Sequence, residues 1–125
     1  MDQPAPKPTP YFDFDLLRRE ASELARVHAG QPTALRPALV ERMRKLVTEA
    51  RAAAKRRLEE DGDGRRCAED LSGFQDALIA LAYDFTTTHI YPADNPTTAE
   101  RMAVVAQGGY GRGLLAPGSD IDLLF

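Results

Sequence analysis

The sequence has a single cysteine, Cys67, only two histidines, and no excess of positive charge. One thiol excludes an internal disulfide, and with no second Cys or neighbouring His it offers no zinc site. It fits a reduced, cytoplasmic setting. No segment approaches the ~20 consecutive apolar residues of a membrane-spanning helix, so no membrane association is expected. The first ten residues hold four prolines among polar residues and lack the charged start and apolar run of a secretion signal. Residues 1–12 therefore read as a flexible, Pro-rich tail. Sixteen Lys and Arg against nineteen Asp and Glu leave a net charge of −3. A general nucleic-acid coat would be strongly basic, so no nucleic-acid partner is expected. Internal repeats and low-complexity tracts are also missing.

What is there is enough for one small domain: 125 residues, 43% of them apolar. Residues 13–91 carry helical patterning. Asp13 or Asp15 can cap a first helix over Leu16, Leu17, Leu24 and Val27, with Gly30 and Pro32 as stop signals. A second helix opens at Thr33 or its neighbours, with Pro37 tolerable in the first turn. Leu39, Met43, Leu46, Val47, Ala50, Ala54 and Leu58 recur three or four residues apart and form its apolar stripe. Its other face, from Arg42 to Arg57, is basic. Interleaved with Glu41 and Glu49 and lacking aromatics for base stacking, it reads as a solvated face. Asp61 and Asp63 suggest the start of a calcium loop, but the later ligands are wrong, and the Asp-Gly-Asp-Gly run reads as a turn. A third helix is predicted from Cys67–Leu71 to about His89, striped by Leu71, Phe74, Leu78, Leu81 and Phe85. His28 and His89 have no metal-ligand spacing.

Beyond the loop at 92–98 the period changes. Met102 to Ala106 is a short apolar run predicted to be a buried strand. Gly108 to Gly118 reads as a glycine loop, and Asp120 to Phe125 as a second strand. Alternate strand residues share a face, so Asp120 and Asp122 are expected to direct their carboxylates to one point, while Ile121 and Leu123 anchor the strand. Two carboxylates on one face repel unless a cation lies between them. Magnesium suits them, since it takes hard oxygen ligands and shares them with substrate phosphates. Gly108 and Gly109 supply the complement: without Cβ, their backbone N–H groups can approach a phosphate. Ser119 can add a hydroxyl donor. Arg112 can reach a phosphate or pair with a carboxylate. Gly111 and Gly113 serve either the ligand or turn geometry, and Tyr110 reads as a packing residue.

Other glycine motifs fit less well. Without Gly-Lys-Ser/Thr the loop is not a P-loop. Gly111-x-Gly113-x-x-Ala116 nominally matches a dinucleotide fingerprint, but Pro117-Gly118 and a strand follow where that motif needs a helix.

Gly108-Gly109, ten intervening residues and then Asp120-Ile121-Asp122-Leu123 resembles the signature of the DNA polymerase β-like nucleotidyltransferase superfamily. The longer string from Gly108 to Phe125, Gly-Gly-Tyr-Gly-Arg-Gly-Leu-Leu-Ala-Pro-Gly-Ser-Asp-Ile-Asp-Leu-Leu-Phe, looks like that of the bacterial PII-protein uridylyltransferases, also called uridylyl-removing enzymes. Leu71 through Tyr83-Asp84-Phe85 and His89 to Tyr91 resemble the helix preceding that motif. The close likeness spans about residues 70–125; that of 13–65 is general. The resemblance implies transfer of UMP from UTP to a tyrosine of the PII nitrogen-signalling protein, with release of pyrophosphate. By motif match, Gly108 and Gly109 contact the triphosphate and Asp120 and Asp122 bind magnesium. It also implies a third carboxylate on a later strand, a metal-dependent hydrolase domain and glutamine-sensing domains, none of which this sequence contains.

The expected fold is α+β: a helical region of about three helices over 13–91, then, over 92–125, the first two strands of a nucleotidyltransferase domain with its sheet incomplete. An apolar strand running into the last residue predicts a fragment of a longer chain, inactive or nearly so alone. Two rival readings stand beside this one. The Ser-Asp-Ile-Asp segment is also similar to glutamine synthetase adenylyltransferases, though Gly-Gly-Tyr-Gly-Arg-Gly favours the uridylyltransferases. Alternatively, the helices form a protein-interaction module and the Asp pair is inert.

Overall fold

Asp13, not Asp15, caps the first helix: its carboxylate accepts from the N–H groups of Asp15 and Leu16 at 3.0 and 3.1 Å. The computed structural model describes residues 10–95 and 97–125; most of the tail expected at 1–12 lies outside them. Helix α1 spans Phe14–Val27 and ends before Gly30, whose φ is 75°. Helix α2 spans Pro32–Asp61. It opens at Pro32, a neighbour of Thr33 as expected, because Pro32 has the φ of a first helical residue and no N–H to leave unsatisfied. Pro37 consequently falls in the second turn rather than the first, held there by burial of Leu35 and Leu39 on either side.

The turn after α2 is only two residues long. Gly62 takes the left-handed conformation (φ 65°) and donates to the Leu58 carbonyl. Asp63 then caps α3 through the N–H of Arg66 at 3.0 Å. With a cap so close, α3 starts at Gly64 and runs to Phe85, ahead of the Cys67–Leu71 start expected from the apolar stripe. A π-helical turn, Thr86–Ile90, extends it to the expected neighbourhood of His89 and closes with Tyr91 N–H donating to the Thr86 carbonyl at 2.8 Å.

The helices bury their stripes against one another. Leu17 of α1 meets Leu46 and Ala50 of α2 and Phe74, Leu78 and Leu81 of α3. Leu17 and Leu46 are fully buried; each such side chain stabilises by about 1.5–3 kcal/mol. Arg42 stacks over the Phe12 ring and pairs with Glu20, joining α2 to α1. Arg57 and Arg66 converge on Asp70, and Arg66 also reaches Asp61. The basic face of α2 is therefore not wholly solvated: Arg42 and Arg57 serve the packing of neighbouring helices. Asp61 and Asp63 act as a turn and cap, as expected of them.

After a short 3₁₀ turn at Thr98–Glu100, strand β1 covers Val105–Gln107 and strand β2 covers Asp122–Leu124. They pair antiparallel, with Val105 opposite Leu124, Ala106 opposite Leu123 and Gln107 opposite Asp122. Both are shorter than expected, and β1 is displaced towards the glycines. Strand geometry persists only where the two runs face each other, which leaves Met102 and Phe125 exposed at 46% and 76%. The glycine segment is not all loop: Gly108–Gly111 forms one helical turn, α4. Helices followed by a two-stranded sheet fit the α+β expectation.

Candidate functional site

The sheet register decides the site. Gln107, the last residue of β1, pairs with Asp122, the first of β2. The chain turns at Gly108, so this glycine lies against the Asp122 carboxylate. Gly108 has φ +61°, and a Cβ there would stand 2.8 Å from Asp122 Oδ2. Only glycine combines that backbone with that approach. Sequence spacing had put Gly108 and Asp122 in one site; the antiparallel pairing puts them in contact distance.

Two further glycines are fixed by α4. A Cβ on Gly111 would meet the Ala106 carbonyl oxygen at 2.7 Å, so this glycine lets the turn fold back on β1. A Cβ on Gly109 would lie 3.2 Å from the Leu114 carbonyl oxygen and 3.8 Å from Arg112 Nη2. Arg112 therefore places its guanidinium beside Gly109. It makes no ion pair among the described residues. Gly113, with φ +74° and open space around it, serves turn geometry.

Asp120 is not in the strand. It sits two residues before β2, and Ile121 between the carboxylates stays 36% exposed rather than anchoring in the core. Leu123 does anchor, packing on the cluster of Ala54, Cys67, Leu71, Tyr110 and Leu115. Asp120, Asp122, Arg112 and Ser119 are all exposed, and the Ser119 N–H closes a turn on the Ala116 carbonyl at 3.0 Å. The corner thus assembles Gly108, Gly109, Arg112 and Asp122. Ser119 and Asp120 lie on the segment leading into it.

The donors suit a hard divalent cation in part. Two exposed carboxylates, one against a glycine too close for any side chain, leave oxygen ligands facing water. No group of three or more potential metal-ligating side chains occurs among the described residues. Asp120 and Asp122 can supply two ligands, and any further protein ligand comes from elsewhere.

Two contacts missed by sequence reasoning hold this corner to the helices. The Tyr110 hydroxyl donates to Asp76 Oδ1 of α3 at 2.6 Å, and the ring is 5% exposed. Burial first, then the hydrogen bond to Asp76 and its negative charge, pushes the Tyr110 phenol well above its ordinary range. The Leu115 N–H donates to the Ala68 carbonyl of α3 at 3.0 Å. Tyr110 was legible as a packing residue. Asp76, a polar residue on the flank of a helical stripe, gave no sign of its partner 34 positions on.

The chain is 48% identical, over 96% of its length, to a bifunctional uridylyltransferase/uridylyl-removing enzyme from Bradyrhizobium. The enzymes of that name from Rhodopseudomonas palustris and Phenylobacterium zucineum are 47% and 49% identical over 91% and 87% of the chain. The chain spans only 12–13% of the length of these relatives. No protein-family profile matches it, and no solved structure matches it.

Proposed function

We propose that this chain, related along nearly all its length to one segment of the bifunctional uridylyltransferase/uridylyl-removing enzymes, carries the triphosphate- and metal-binding half of a uridylyltransferase site. The observation that carries the reading is the corner itself. In a chain so similar to enzymes of that name, the register seats Gly108 against Asp122, and Arg112 lies beside Gly109.

The chemistry follows from the residues present. Gly108 and Gly109 carry no side chain of their own to keep a triphosphate from the backbone, and the Arg112 guanidinium and Ser119 hydroxyl add donors for its oxygens. Asp120 and Asp122 would hold magnesium, which when bound neutralises phosphate charge and orients the nucleotide. The reaction is transfer of UMP from UTP to a tyrosine of the PII protein. The tyrosine oxygen forms a bond to the α-phosphorus and gives up its proton to solvent, the bond from that phosphorus to the bridging oxygen breaks, and pyrophosphate leaves. Positioning and charge stabilisation supply most of the rate in such transfers. With only two carboxylates in place, the 125-residue chain binds nucleotide weakly and turns over little or not at all.

The test is a titration of the isotopically labelled chain with UTP and magnesium, followed by NMR. Saturable shifts at Gly108, Gly109, Arg112 and Asp122 are expected, lost in Asp122→Asn and absent without magnesium. If UTP and magnesium leave these signals unmoved while the rest of the spectrum is that of a folded chain, the half-site reading falls and the helical interaction module replaces it. Robust magnesium-dependent uridylylation of PII by this chain alone would refute the part of the proposal that makes it incomplete.

A further inference from the structure

A cleft of about 270 Å³ lies where α2, α3 and the segment 115–121 meet. Its lining comes from three parts of the chain. Leu58 of α2 with Leu71 and Phe74 of α3 make an apolar floor, and Pro117 and Ile121 wall it from the loop side. Arg51 and Lys55, one helical turn apart on α2, are also in the lining, and no carboxylate is.

We propose that this cleft binds a small monocarboxylate with an apolar body. Three observations select that occupant. The first is charge. In a chain of net charge −3, the cleft presents two cations and no anion. Arg51 enters no ion pair or hydrogen bond among the described residues. Lys55 has only a 4.0 Å contact with Glu59, both side chains more than half exposed, and such surface pairs contribute little. Both cations can therefore turn to an incoming anion without breaking a strong contact.

The second observation is the floor: apolar side chains beneath charged ones suit an amphiphile, whose body leaves water while its head stays at the rim. The third is size. The cavity, about 270 Å³, is near the ~300 Å³ lower end of small-molecule sites, which keeps the occupant small.

The site adjoins the candidate triphosphate corner. Ser119 and Ile121 line the cleft and flank Asp120 on either side. An occupant therefore touches the segment that carries the first carboxylate, and its binding is expected to register at Asp120 and Asp122. The binding itself does not depend on uridylyl transfer.

The experiment titrates the labelled 125-residue chain with octanoate at neutral pH, with 1-octanol as the uncharged counterpart, observed by NMR. Octanoate is expected to give saturable shifts at Ala54, Leu58, Leu71, Ser119 and Ile121, with smaller ones at Asp120 and Asp122. Octanol is expected to bind about tenfold more weakly, and the Arg51→Gln/Lys55→Gln double variant to bind octanoate about tenfold more weakly, one charge-assisted contact by free energy. Both positions are exposed and Gln is a good helix former, so the variant's remaining signals stay in place. Three results each overturn the proposal: octanoate shifts that do not saturate or fall outside the cleft, octanol binding equal to octanoate, or a double variant that binds like the wild type.

Discussion

Replacing Gly108 with alanine perturbs the corner at its tightest point, and the cost can be worked from two terms. At φ +61°, a Cβ meets the following carbonyl, at roughly 1–2 kcal/mol. The same Cβ stands 2.8 Å from Asp122 Oδ2, several tenths of an ångström inside an ordinary carbon–oxygen contact. Asp122 is exposed, so its carboxylate can swing away, at an off-rotamer cost of about 0.5–1.5 kcal/mol. Together Gly108→Ala destabilises the chain by about 1.5–3.5 kcal/mol. Gly30→Ala isolates the first term: its φ is +75°, and nothing lies within 4 Å of the added Cβ. The second term is isolated by a double-mutant cycle with Asp122→Ala, in which Gly108→Ala recovers to about the cost of Gly30→Ala, a coupling of about 1 kcal/mol. Urea unfolding followed by far-UV circular dichroism reads all four variants. With a slope of about 1–3 kcal/mol/M, the Gly108→Ala midpoint falls by about 1 M. If Gly108→Ala costs no more than Gly30→Ala, or if Asp122→Ala leaves its cost unchanged, Gly108 and Asp122 are not in the contact described and the corner is wrongly built.

Gly111→Ala meets backbone, the Ala106 carbonyl oxygen at 2.7 Å, which cannot swing away; α4 must lift from β1, at about 1–3 kcal/mol, read as a lower urea midpoint with β1 amides exchanging faster. Tyr110→Phe removes the hydroxyl from Asp76 and costs about 1 kcal/mol at neutral pH. The folded phenol is held protonated above the ordinary value of 10.0, so above pH 10 the native state binds more protons than the unfolded one. The Tyr110 contribution is thus complete below pH 10 and lost as pH rises beyond it; urea midpoints from pH 9 to 11 should fall less steeply in Tyr110→Phe than in wild type. Leu46→Ala empties a position with no exposed surface at the meeting of α1, α2 and α3, and should cost about 2.7–5 kcal/mol by the same unfolding assay.

Much of the helical layer could be read from local chemistry. Stripe spacing located α2 and α3, Gly62 and Asp63 marked the turn between them, and the change of period near Arg101 placed the strands after the helices. Local signals went astray where two of them competed. The apolar stripe of α3 starts later than its cap at Asp63, because a helix begins where its N–H groups first find partners and not where its core face begins. The strand boundaries also moved, since strand geometry depends on a partner and the partner's register is not written in either run alone.

By itself the sequence determined the chemical kit of the site: glycines that allow close backbone approach, carboxylates two residues apart, a nearby arginine and serine, and the spacing that gives the resemblance to nucleotidyltransferases. Those are properties of residue type and interval. Only the tertiary structure decided how the kit is assembled. It set Gln107 opposite Asp122 and so pressed Gly108 onto that carboxylate; it left Asp120 outside the strand; it tied Tyr110 to Asp76 and Leu115 to Ala68. The contacts among these join segments more than a dozen residues apart, and no local pattern carries that information.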